Sequence, residues 1–88
     1  MPTISMFYGI IVKMYQEVNG RHNTPHIHAE FSGQDVAVSL DGDVLEGSIP
    51  KGKMKLLLAW MEIHKESLEA NWRLLEAGEP FFKIDPLR

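Results

Sequence analysis

The chain contains no cysteine in its 88 residues. That single absence excludes a disulfide framework, a thiolate zinc site and a cysteine nucleophile. Long apolar runs are missing as well. Ile10-Ile11-Val12 and Leu56 to Met61 are the longest, and a membrane helix needs roughly 20 such residues. A cationic excess is also lacking: nine Lys and Arg stand against twelve Asp and Glu, a net charge of −3. Phosphate binding rests on clustered Lys and Arg, so the surface as a whole does not attract nucleic acid, and only Lys51, Lys53 and Lys55 form a basic cluster. The opening residues Met1-Pro2-Thr3-Ile4-Ser5 have neither the basic segment nor the small-residue cleavage site of a secretory signal. A cytoplasmic protein without membrane association is expected.

What is present is the composition of a globular protein, 44% hydrophobic and 24% charged. One domain over residues 1–88 is expected, β-rich over 4–47, helical over 50–78 and ending in a tail at 79–88. At this size a partner subunit adds usefully to the buried area, so oligomerisation stays open.

Phe7 to Tyr15 is rich in β-branched and aromatic residues and reads as a first strand with Tyr8, Ile10, Val12 and Met14 facing the core. Gly9 marks a bulge or a close backbone approach within it. Val18-Asn19-Gly20 with Asn23 and Pro25 forms a loop, and His26 to Phe31 gives the second strand. Ser32-Gly33-Gln34 connects it tightly to Asp35 to Leu40, where Val36, Val38 and Leu40 alternate inward. Asp41-Gly42 is a residue pair preferred by hairpin turns, which makes Val44-Leu45-Glu46 a short fourth strand.

Ser48-Ile49-Pro50 marks a helix entry, with Ser48 as the cap or Pro50 at the first helical position. From Met54 to Leu75 apolar residues recur at helical steps, and Gly78 with Pro80 stops the pattern. Polar His64 to Ser67 interrupts it, which admits one long helix or two in succession. Phe81, Phe82, Ile84 and Leu87 predict a tail folded back on the body. The expected class is α+β: an antiparallel meander of three to four strands, then helix packed on one sheet face.

Three of the four histidines lie between His22 and His28. In an extended strand the two-residue period places His26, His28 and Glu30 on one face and Ile27, Ala29 and Phe31 on the other. Two imidazoles and a carboxylate suit a divalent metal, with His22 as a fourth group. Adjacent side chains on a flat strand do not converge on one ion, so histidines capping a sheet face are the preferred reading and no metal or other cofactor is expected.

The same histidines can act without metal as general acid and base. Flanked by Lys13, Tyr15 and Arg21, with Asn23 and Glu30 as further contacts, His26 and His28 are placed to cleave a phosphodiester by attack of a ribose 2′-hydroxyl, the cations stabilising the phosphate. The face serves equally to bind RNA without cutting it. A Pro2 amine exposed by removal of Met1 is a third general base, discounted because a His-rich loop, and not a crossover helix, follows the first strand. Trp60, Trp72 and His64 read as core or interface residues at helical spacing.

Taken together, Pro2-Thr3-Ile4-Ser5, Phe7, Gly9-Ile10, Met14-Tyr15, Pro25-His26-Ile27-His28-Ala29, Val44-Leu45-Glu46-Gly47, Trp60 with His64, and Asn71-Trp72 resemble a small bacterial family, domain of unknown function 4160. Family members usually carry Pro-Pro-His-x-His-Ala, and Thr24 here replaces the first proline. The resemblance implies a neighbouring gene for a second small uncharacterised domain and a toxin-like role in a type II toxin–antitoxin module. It places the site at His26 and His28, supported by His22, Tyr15 and Glu30, and implies a small antitoxin-like partner encoded nearby. A non-enzymatic protein-binding module is the alternative.

Overall fold

A computed structural model describes residues 3–15 and 24–88. Among the described residues five strands form one antiparallel sheet in the order of the chain: β1 (Thr3–Phe7), β2 (Ile10–Lys13), β3 (His26–Phe31), β4 (Gln34–Ser39) and β5 (Val44–Gly47). Two helices follow, α1 (Lys51–Ile63) and α2 (Lys65–Glu76). The α+β class is as expected, and the meander has five strands where the sequence suggested three or four.

The extra strand comes from a turn inside the expected first strand. Phe7 pairs with Ile10, and between them Tyr8 and Gly9 have φ of 49° and 81°. Two successive positive φ values are the signature of a type I′ hairpin. Tyr8 therefore points to solvent at 53% exposure and not into the core, while Ile10, Val12 and Met14 are buried as expected. Gly9 does mark a close approach, since a Cβ there would lie 3.0 Å from the Phe31 ring. Ser32 and Gly33 repeat the same turn between β3 and β4, with φ of 48° and 84°.

The β4–β5 connection is looser than a two-residue turn. Gly42 N–H donates to the Ser39 carbonyl and Ser39 N–H to the Asp43 carbonyl, with Gly42 at φ 97°. Leu40, Asp41 and Gly42 thus form a three-residue loop with glycine at its left-handed position.

One face of the sheet is apolar across the strands. Register pairs Val12 with Ala29 and Ala29 with Val36, and sets Ile27 beside Val38. These residues join Leu57, Trp60 and Met61 of α1 and Leu68 and Trp72 of α2 in one buried cluster. At about 1.5–3 kcal/mol for each large apolar side chain fully buried, this layer is the main source of stability.

Pro50, with no side-chain cap bond, precedes the first residue of α1. Ser48 does not cap the helix; its backbone N–H donates to the Asp35 carbonyl across the end of the sheet. The two-helix alternative is the one found. His64 breaks the helical run at φ −107° and ψ 23°, and its ring lies 5.6 Å from that of Trp60. At the end of α2, Gly78 N–H donates to the Leu75 carbonyl and Glu79 N–H to the Leu74 carbonyl, a Schellman cap with Gly78 at φ 72°.

The tail folds back as expected. Asn71, fully buried on α2, donates its amide N–H to the Phe82 carbonyl and accepts the Phe82 N–H. Trp60 Nε1 donates to the Asp85 carbonyl at 2.7 Å, and Ile84 N–H to the Ile4 carbonyl on β1 at 2.8 Å. The Ile84 bond covers part of the β1 edge of the sheet.

Candidate functional site

The sheet face opposite the helices carries the polar residues, and hairpin register fixes their order. Lys13 on β2 stands beside His28 on β3, His28 beside Ala37 on β4, and Ala37 beside Glu46 on β5. Glu30 and Asp35 are likewise neighbours. Directly paired side chains lie about 4.5–5.5 Å apart at Cβ, so these residues share one surface.

Tyr15, two residues past the end of β2, stacks on His28 with ring centres 4.4 Å apart and planes 11° from parallel. His26 meets His28 edge-on at 5.0 Å. His28 and Tyr15 are half-buried. His26 is only 1% exposed. Its Nδ1 donates to the Thr24 carbonyl at 2.7 Å, which fixes a proton on that nitrogen, and its ring lies 5.4 Å from that of Trp72. The strand alternation that assigned His26 to a solvent-facing surface is overridden at this end of the sheet, where Trp72 arrives from α2.

Lys13 Nζ donates to Glu30 Oε1 at 2.7 Å. This bond to the carboxylate raises the Lys13 pKa above its ordinary 10.5, partial burial opposing the rise and Tyr15 and Asp35 adding smaller attractions. Lys13 is thus held as a cation one strand position from His28.

Lys13, Tyr15, His26, His28 and Glu30 are therefore brought together, with His28 at the centre. Arg21, His22 and Asn23 lie outside the described residues, as does the loop at Val18 to Gly20. Glu30 is engaged by Lys13 and His26 Nδ1 by Thr24, and no group of three or more His, Asp or Glu among the described residues is arranged to hold a metal ion. Two members were missed in the sequence. Glu46 joins the face through register, a signal present in the Asp41-Gly42 hairpin, whereas the approach of Trp72 to His26 had no local signal at all.

The family model described as Domain of unknown function (DUF4160) matches residues 9–73. The chain belongs to this family. The DUF4160 span begins in the first hairpin turn and ends within α2, so it includes every residue of the face from Lys13 to Glu46 as well as Trp72. β1 and the C-terminal tail lie outside it, and they bond to each other through Ile84 and Ile4. No curated protein and no solved structure matches the chain. No helix among the described residues is long and apolar enough to cross a membrane.

Proposed function

We propose that this DUF4160 chain is the toxin-like component of a bacterial two-component module and acts on RNA through the face centred on His28. The observation that carries the reading is the stack of Tyr15 on His28, with Lys13 as the neighbouring cation. A half-buried imidazole held between two rings is oriented yet reachable, which is what a general base requires.

In this reading His28 takes the proton of a ribose 2′-hydroxyl. The 2′-oxygen bonds to phosphorus, the bond from phosphorus to the 5′-oxygen breaks, and solvent protonates the departing oxygen. The products are a 2′,3′-cyclic phosphate and a 5′-hydroxyl. Lys13 stabilises the charge that develops on the phosphate oxygens. His26, buried and bonded to Thr24, positions His28 and does not contact the substrate. A small antitoxin-like protein encoded nearby is the proposed partner.

The burial of His26 favours a second reading, a protein-binding module in which the histidines stiffen an interface. Expression of the wild-type chain and of His28→Ala separates the two. The first reading expects growth inhibition and RNA cleavage that vanish together in a folded variant. The second expects no cleavage by either protein and a stable complex with the neighbouring gene product.

A further inference from the structure

Two local costs meet at the tip of the first hairpin. Tyr8 holds a left-handed backbone, φ 49°, at a turn position that Asn or Gly would take without strain. Its side chain is 53% exposed, so little packing offsets that strain. Nearby, α1 opens with Lys51, Lys53 and Lys55 and has no acidic residue in its first turn, the reverse of what the helix dipole favours. A side chain joins the two features. Lys53 Nζ donates to the Tyr8 carbonyl at 3.0 Å and lies 4.9 Å from the centre of the Phe31 ring, which packs against Gly9. Strain that surrounding contacts hold in place is a mark of a functional position.

Register connects this tip to the His28 face. Lys13 stands beside His28, and two residues back along the same side of β2 comes Ile11, paired with Met6 on β1. Met6 is 62% exposed, and Tyr8 follows it two residues later at the turn. Lys13 and Gly9 are four positions apart, about 13 Å at about 3.3 Å per strand residue. Glu30, the carboxylate beside Ile11, is already engaged by Lys13. An apolar strip thus runs from the histidine to an exposed aromatic ring with a cation behind it.

We infer that this strip is the track for the single-stranded RNA that flanks the bond at His28, one base stacking on the Tyr8 ring and a backbone phosphate lying against Lys53. Aromatic stacking beside a cation is how single strands are held with little sequence preference. An apolar peptide would cover Met6 and Ile11 but bring no counter-charge to Lys53. The inference deepens the RNA reading and rests on it for the nature of the substrate.

The test is fluorescence anisotropy of the intact chain with 5′-fluorescein-labelled 2′-O-methyl hexauridylate, which has no free 2′-hydroxyl and cannot be cut by the proposed route. Tyr8→Asn should weaken binding about tenfold, within the range of base–aromatic stacking, while its stability in urea is unchanged or higher. Tyr8→Phe, which keeps the ring, should restore binding. Lys53→Gln should lower the slope of log K against log salt by about 0.7, one phosphate contact on a single strand. Ile63→Asn, which removes an equally exposed apolar side chain at the far end of α1, should bind as the wild type does. The inference is overturned if the wild type does not bind the oligonucleotide, if Tyr8→Asn binds as well as the wild type or is less stable, if the salt slope of Lys53→Gln is unchanged, or if Ile63→Asn weakens binding equally. The probe reports binding alone, so absence of RNA cleavage by the His28 face leaves a positive result intact, and cleavage without dependence on Tyr8 removes only the track.

Discussion

Asn71 grips Phe82 with both ends of its amide, Nδ2 donating to the carbonyl at 2.7 Å and Oδ1 accepting the N–H at 3.1 Å. A fully buried polar side chain whose partners are both backbone groups acts as a clasp for the tail. Asn71→Leu should lower stability by about 1–3 kcal/mol, because the Phe82 backbone groups lose their partners. Urea unfolding measures the loss. Hydrogen exchange at the Ile84 amide, bonded to Ile4, should quicken in the same variant; unchanged exchange there would mean that the tail is held without the clasp.

Tyr8 occupies a left-handed position, at φ 49°, that bulky residues rarely take. Asn is at home in that conformation, and the Tyr8 side chain is largely exposed. Tyr8→Asn should therefore stabilise the protein by about 1 kcal/mol. A loss of stability in urea would show instead that the aromatic ring contributes packing larger than the strain.

Gly33 and Gly47 separate backbone strain from steric overlap. Both have positive φ, 84° and 77°, but a Cβ at Gly33 meets nothing within 4 Å, whereas one at Gly47 would come within 2.3 Å of the Asp35 carbonyl oxygen. Gly33→Ala should cost about 1–2 kcal/mol. Gly47→Ala should cost clearly more, with loss of the β4–β5 pairing visible in amide exchange. Equal costs would refute the close approach.

The Lys13–Glu30 bond gives a pH dependence with a defined sign. Lys13 has its pKa raised above the ordinary 10.5 by the bonded carboxylate. The folded state holds this proton more tightly than the unfolded chain, so the contribution to stability is complete below 10.5 and is lost as pH rises through the higher folded value. NMR titration of the Lys13 ammonium should give a midpoint above that of an exposed lysine, and Glu30→Gln should bring it back. A midpoint unaffected by Glu30→Gln would remove the bond as the cause.

Where the alternation of apolar residues is local, it was sufficient to locate structure: β3 at His26–Phe31 and the inward residues of β4 follow from it directly. The first hairpin escaped because its turn is built on Tyr8, an aromatic where Asn or Gly would have announced a left-handed conformation. The polar residues around His64 showed that the helical run could break, but apolar spacing continues across them and left both alternatives standing. At the candidate site, the association of Lys13, His28 and Glu30 was legible as two neighbouring strands with polar outer positions. The burial of His26 was not, because Trp72 and Thr24 reach it through tertiary folding and not through the period of its own strand.

His28 on its Tyr15-stacked face is proposed to carry chemistry on RNA. Its most direct test is the cleavage of a 5′-labelled RNA by purified protein, comparing wild type, His28→Ala and Tyr15→Phe, all with native circular dichroism. Fragments ending in 2′,3′-cyclic phosphate are expected from the wild type, with retained cleavage in Tyr15→Phe because the stack survives, and a loss of about a hundredfold or more in His28→Ala. Cleavage by His28→Ala at the wild-type rate, or none by the wild type while it inhibits growth, would contradict it.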